Sequence, residues 1–183
     1  MPAVLVPIAQ GCEELEAVTI IDILRRGEVE VVVAGLDAEP VAASRGVRLM
    51  PDMTLDEALQ REYDMVALPG GAKGAENLAN DPRITNLLKQ MADKGKYTVA
   101  ICAGPTVLAK AGLLAGKKAT SYPAMLDQLK AANAQCVEEP VVQDGQVITS
   151  RGPGTAMDFA LTLVDALQGK ETRNNVEKAL VRP

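Results

Sequence analysis

The sequence predicts an α/β fold, a three-layer α/β/α sandwich around a mainly parallel sheet. Two observations carry this. Short β-branched or apolar runs alternate with helix-period segments over most of the chain. Successive strands are also separated by helices, which makes them parallel neighbours rather than hairpin partners. A length of 183 residues fits one domain, 1–183.

The elements follow in order. Ala3 to Ala9 (AVLVPIA) reads as a strand, Gln10-Gly11 turns, and Glu13 to Arg26 places Leu15, Val18, Ile21 and Ile23-Leu24 at helical spacing before Gly27 ends the helix. Glu28 to Gly35 is the second strand and completes a βαβ unit. Residues 37 to 54, with two prolines around Ser44-Arg45-Gly46, fit a small hairpin excursion better than core sheet. Thr54 caps a short helix, Leu55 to Gln60. Asp64 to Leu68 is a strand stopped by Pro69-Gly70-Gly71. Helical pattern returns at Ala75 to Ala79 and, after Asp81-Pro82, at Arg83 to Lys94. Tyr97 to Ile101 is a strand that runs directly into Cys102-Ala103-Gly104 and a helix from Pro105 to Ala111. A short strand at Lys118 to Ser121, a helix near Ala124 to Ala131 and a hairpin turning at Asp144-Gly145 follow. Helices from Thr155 to Leu167 and from Lys170 to Val181 close the chain.

Composition removes several function classes. With 19 Lys+Arg against 24 Asp+Glu the net charge is −5, so no basic stripe neutralises phosphates, and nucleic acid is not expected as a primary ligand. No apolar run is long enough to span a bilayer and the N-terminus shows no leader pattern, so a cytoplasmic protein without a membrane partner is expected. There is no histidine, which excludes Ser-His-Asp and Cys-His nucleophile schemes, including Cys-His proteases, and most zinc and haem sites. The three cysteines, Cys12, Cys102 and Cys136, form no CxxC pair and read as free thiols. No metal and no cofactor is expected, and no GxGxxG or Walker pattern follows a strand.

In open α/β sheets ligands collect at the carboxyl ends of strands. Those positions hold Cys12 to Glu16, Gly70-Gly71, Cys102 and Arg151-Gly152-Pro153-Gly154. Cys102 lies between a strand and a helix with no loop residues to spare, as in a nucleophile elbow. Free amides of Ala103 and Gly104 at that helix start would pull its thiol below the ordinary value of about 8.5. The competing reading is a small apolar residue filling a strand end. Gly70-Gly71 either lets an amide approach an oxyanion or simply ends a strand. Glu13 and Glu14 read as solvated first-turn carboxylates favoured by the helix dipole, whereas spacing does not fix the direction of Glu16.

The stretches GCEELEAVTIIDILRR (Gly11 to Arg26), VAGL (Val33 to Leu36), LPGGAKGAENL (Leu68 to Leu78), AICAGPTVLA (Ala100 to Ala109) and ITSRGPGTAMDFAL (Ile148 to Leu161) together resemble the ThiJ/PfpI superfamily, in its branch around Parkinson disease protein 7 and bacterial relatives. The resemblance implies a flavodoxin-like homodimer with the reactive cysteine at Cys102 beside a buried glutamate at Glu16. It places oxyanion amides at Gly71 and Ala103 and a pocket edge at Gly70, Tyr122 and Pro153. Where the human relative has a pocket histidine, this chain presents Tyr122, a poor base at neutral pH. The family's dimer-related arginine falls on Arg45, which reads equally as an exposed charge.

If Glu16 and Cys102 adjoin, they should share one proton, raising the acid and lowering the thiol. The implied function is a stress-response protein acting on small aldehydes or dicarbonyls, as a glutathione-independent glyoxalase or protein deglycase. The alternative is a redox-sensing chaperone whose Cys102 oxidises to sulfinate, with glycated or unfolded proteins as partners.

Overall fold

The computed structural model describes residues Met1–Pro183. Four parallel strands form the centre: β1 (Ala3–Ile8), β2 (Glu30–Gly35), β6 (Met65–Leu68) and β7 (Tyr97–Ile101). β5 (Met53–Thr54) edges one side, and the hairpin β10 (Val141–Asp144) and β11 (Val147–Ser150) the other, in the order β10-β11-β7-β6-β1-β2-β5. Only β10 runs antiparallel, paired with β11. The result is the three-layer α/β/α sandwich that the alternation predicts, in the flavodoxin-like form that the resemblance implies.

Strand periodicity decides which helices lie on which face. Val4, Val6 and Ile8 of β1, with Val31 and Val33 of β2, meet α1 (Glu14–Arg26) and α7 (Ala156–Gln168), where Ile20, Leu24, Phe159 and Leu163 are buried. Leu5, Val32, Val66 and Leu68 point to the other face, towards α3 (Ala72–Ala79), α4 (Pro82–Asp93) and α5 (Pro105–Lys110). The helix α8 (Lys170–Ala179) packs outside α7 with Val176 as its buried anchor. No helix is long and apolar enough to cross a membrane.

Several boundaries differ from the sequence reading for local reasons. The second strand starts at Glu30, because Glu28 has φ 57 and Val29 is still closing the turn from α1. Residues 37 to 54 do contain a hairpin, β3 (Val41–Ala42) with β4 (Arg48–Leu49), but Met53 and Thr54 leave it and pair with Ala34 and Gly35 as the sheet's edge. The helix expected at Ala75 starts at Ala72, directly after Gly71. The strand expected at Lys118 to Ser121 is only β8 (Lys118–Ala119), and it pairs outside the main sheet with β9 (Gln135–Cys136), which the periodicity did not reveal. The short helix α2 (Leu55–Ala58) is fixed by a reciprocal capping box between Thr54 and Glu57.

The topology creates one crevice. From β1 the chain moves to β2 on one side and later to β6 on the other, so the connections after β1 and β6 leave the sheet in opposite directions. The carboxyl ends of β1, β6 and β7 meet there.

Candidate active site

Cys102 stands where β7 becomes α5, with φ 63, a left-handed conformation that costs a non-glycine residue about 1–2 kcal/mol. The surrounding backbone holds it there. The Cys102 amide donates to the Ser150 carbonyl at 2.9 Å, and the Tyr122 amide donates to the Cys102 carbonyl at 2.9 Å. The residue is 9% exposed, so little of it meets solvent.

Glu16, in the first turn of α1, is wholly buried and turned inward against Cys102. Its Oε1 accepts the Gly70 amide at 3.0 Å, whereas Oε2 is buried with no nitrogen or oxygen partner. The two glycines are sterically required. A Cβ on Gly70 would lie 2.5 Å from Glu16 Oε1 and 2.6 Å from Cys102 Cβ. Gly71 has φ 84, and a Cβ there would lie 2.3 Å from the Gly11 carbonyl oxygen.

Burial pushes Glu16 up to about 7, a neighbouring charge on Glu13 adds to the rise, and the Cys102 side chain and the Gly70 amide oppose it. The expected acidification of the thiol is not what the surroundings produce while Glu16 is ionised. Burial first, then the Glu16 carboxylate, push Cys102 up to about 12, and the amides of Gly71 and Ala103 only partly offset this. Between those two values the pair holds one proton. Moving that proton to Glu16 removes both Glu16 contributions to the rise, leaving the two amides opposed by burial alone. While Glu16 is ionised the proton stays on sulfur, and a thiolate arises only when that proton passes to Glu16. The Gly104 amide takes no part, because it is spent on the Ile101 carbonyl at 2.8 Å.

The fold thus gathers Glu16, Gly70, Gly71, Cys102 and Ala103. Tyr122 sits at the rim, 46% exposed, with its ring against Gly152 and next to Pro153. Arg45 is exposed at the hairpin tip, and it is its backbone amide that is tied down, by Glu14. A groove of ≈ 620 Å³ beside α3 and α5 meets this site only at Ala103. Cys12 is buried among Glu13, Glu14 and Glu16, and burial leads those charges in pushing its thiol up to about 12.

Two carboxylates depart from the solvated reading. Glu14 is 8% exposed and accepts from the Ser44 hydroxyl at 3.0 Å and the amides of Arg45 at 2.9 Å and Val47 at 3.2 Å. Burial works against its charge, yet these donors and its own amide hold the carboxyl below the usual range. Glu13 is half-buried and is the N-cap of α1, its Oε2 accepting the Glu16 amide at 2.8 Å. A capping signal based on Ser, Thr, Asp or Asn misses it.

An elbow cysteine, a buried acid and two converging amides at the switch point of a doubly wound sheet define the class: an α/β/α protein organised around one cysteine–glutamate pair. The DJ-1/PfpI family profile matches residues 2–166, and the chain belongs to that family. It is 47% identical to Protein DJ-1alpha of Drosophila melanogaster, over 97% of this chain and 82% of that protein. It is 47% identical to Protein DJ-1 homolog B of Arabidopsis thaliana, but spans only 41% of that longer relative. Glutathione-independent glyoxalase DJR-1.2 of Caenorhabditis elegans is 38% identical, over 93% of this chain and 91% of that protein. The crystal structure of Drosophila melanogaster DJ-1beta superposes with a TM-score of 0.96 at 43% identity, covering 100% of this chain and 98% of that one.

Proposed function

We propose that this chain is a cysteine-dependent stress-response protein acting on reactive dicarbonyls, of the glutathione-independent glyoxalase or protein deglycase type, with Cys102 and Glu16 as its catalytic residues. The observation that carries the reading is a buried carboxyl, pushed up to about 7, set against a thiol that Gly71 and Ala103 amides flank. The nematode relative named for glyoxalase activity supports the substrate class.

With methylglyoxal, the Cys102 thiolate adds to the aldehyde carbon while the Gly71 and Ala103 amides stabilise the developing oxyanion. Neutral Glu16 protonates that oxygen, giving a hemithioacetal. Ionised Glu16 then takes the hydrogen from the former aldehyde carbon as a proton, giving an enediol as the ketone oxygen takes up a proton, and returns it to the adjacent carbon. The hydroxyl on the sulfur-bearing carbon gives up its proton in the same step, so that carbon is oxidised to a thioester as its neighbour is reduced to an alcohol. Water hydrolyses the thioester, releasing lactate and the thiol. Glu16 serves as both acid and base because no imidazole exists in the chain. Lactate formation by the purified protein, compared with Cys102→Ser and Glu16→Gln, tests the scheme. Both variants should lose turnover, and unchanged turnover in either overturns it.

A second reading is favoured by Glu16 Oε2, which is buried without a nitrogen or oxygen partner beside the sulfur. Neutral Glu16 could donate from that oxygen to a sulfinate on Cys102, making oxidation selective and the chain a redox-responsive chaperone. Mild peroxide should then add two oxygens at Cys102 before Cys12 or Cys136 react, read by intact and peptide mass. Random order among the three removes this reading.

A homodimer is part of the same proposal. Glu14 ties the hairpin at Val47 to the first turn of α1, and these two segments carry the exposed apolar side chains Leu15 and Val18 and, on the hairpin side, Val47 and Met50. Sedimentation equilibrium should give twice the chain mass, and a monomer at micromolar concentration refutes it.

A further inference from the structure

Tyr122 is joined to the reactive elbow from two directions, and the scheme above gives it no task. Its amide donates to the Cys102 carbonyl at 2.9 Å, and the Cys102 amide donates to the carbonyl of Ser150 at 2.9 Å, two residues before Gly152. The Tyr122 ring reaches across to that glycine: a Cβ on Gly152 would stand 3.5 Å from its Cδ2 and 4.0 Å from its Cε2. Backbone bonds and ring together form an arch from one side of Cys102 to the other.

The arch is firmly mounted. Tyr122 (φ −55, ψ 137) and Gly152 (φ 174, ψ −168) are both extended, and each precedes a proline, which keeps the backbone there out of the helical region. The Tyr122 carbonyl accepts the Met125 amide at 2.8 Å and the Ser121 hydroxyl at 3.0 Å, so both polar groups of its main chain are occupied. The side chain nevertheless stays 46% exposed. A fixed main chain that carries a large open ring is a preorganised contact surface, one hydrogen bond away from the nucleophilic residue.

Building on the dicarbonyl reading above, we propose that Tyr122 is the specificity-determining residue of the site: its ring receives the substituent of an α-oxoaldehyde and favours an aryl group over a methyl. In the adduct the former aldehyde carbon carries four groups. One is the Cys102 sulfur, the oxygen turns to the Gly71 and Ala103 amides, and the hydrogen faces Glu16, which removes it. The fourth bond leads to the ketone carbon and its substituent, and it takes the remaining direction, the side bounded by Tyr122 and Gly152. A methyl group meets the ring at one point. A phenyl group can stack on it or meet it edge to face, a gain beyond simple burial that corresponds to roughly threefold to tenfold in rate or affinity.

The test compares an aryl with a methyl partner in two ways. The first is the ratio of kcat/KM for phenylglyoxal, read as mandelate, to that for methylglyoxal, read as lactate. The second needs no turnover: the ratio of Cys102 alkylation rates by 2-bromoacetophenone and bromoacetone, read by peptide mass. Tyr122→Ala should lower both ratios by roughly threefold to tenfold, and Tyr122→Phe should keep both near the parent values. Both variants retain the amide that bonds Cys102, so the elbow is held in each. Ratios in Tyr122→Ala equal to those of the parent overturn the proposal, as does an equal fall in Tyr122→Phe, which would assign the preference to the hydroxyl. An alkylation ratio that falls only in Tyr122→Ala, with neither aldehyde turned over, supports the aromatic surface and sinks the dicarbonyl reading alone.

Discussion

Glu14 and Glu16 lie two residues apart in one helical turn, and both are buried, yet the fold treats them in opposite ways. Glu14 receives a hydroxyl and two backbone amides from a hairpin about thirty residues away and is held as a charge. Glu16 receives one amide, leaves an oxygen without a nitrogen or oxygen partner, and faces a thiol. Burial alone therefore does not make a carboxyl reactive. The number of donors aimed at it decides whether it is a fastener or an acid at neutral pH.

The contrast can be broken by changing each member in turn. The largest effect expected is on turnover. Glu16→Gln should lower kcat/KM for methylglyoxal by about a hundredfold or more, since the proton-transfer step loses its only carrier. Glu14→Gln should stay within a fewfold of the parent per active chain, and equal losses in the two variants would erase the distinction. Stability should respond in the opposite sense. Glu14→Ala leaves the amides of Arg45 and Val47 without their acceptor and should cost about 3 kcal/mol in chemical denaturation.

Glu16→Gln should instead stabilise, and only at higher pH. Glu16 is raised from 4.5 to about 7, so the stability its protonated form contributes is fully present below 4.5 and is lost as pH rises through about 7. The variant should melt several degrees above the parent near pH 8.5, with the gap closing through neutrality and absent near pH 4. A gap that does not vary with pH would mean that Glu16 does not titrate in this range. The smallest effect sharpens the fastener side. Ser44→Ala removes one of Glu14's donors and should cost about 1 kcal/mol, read as a small drop in melting temperature at pH 7.

Part of this arrangement is legible in the sequence. The ends of β1, β6 and β7 follow from β-branched runs interrupted by glycine and proline, and Cys102 is marked because its strand meets a helix without a loop. Glu16 is not legible from spacing, because a first-turn glutamate can face solvent or core, and only family resemblance pairs it with Cys102. Glu14 is misread for a different reason. Its donors, Ser44, Arg45 and Val47, lie outside any local window, so a helix-dipole argument sees only a solvated charge. Gly104 shows the limit of capping logic: a helix start implies free amides, but the tight elbow consumes that one. Two-residue strands such as Met53–Thr54 and Gln135–Cys136 are too short to carry a period of two.

Gly70 carries one more consequence. With Glu16 Oε1 and Cys102 Cβ crowding the place where its side chain would begin, the gap between acid and sulfur is gauged by main chain and not by any rotamer. A spacer made of peptide cannot swing aside as a side chain does, so a molecule entering the crevice meets a reaction gap set in advance. Widening that gap would require the strand end itself to yield.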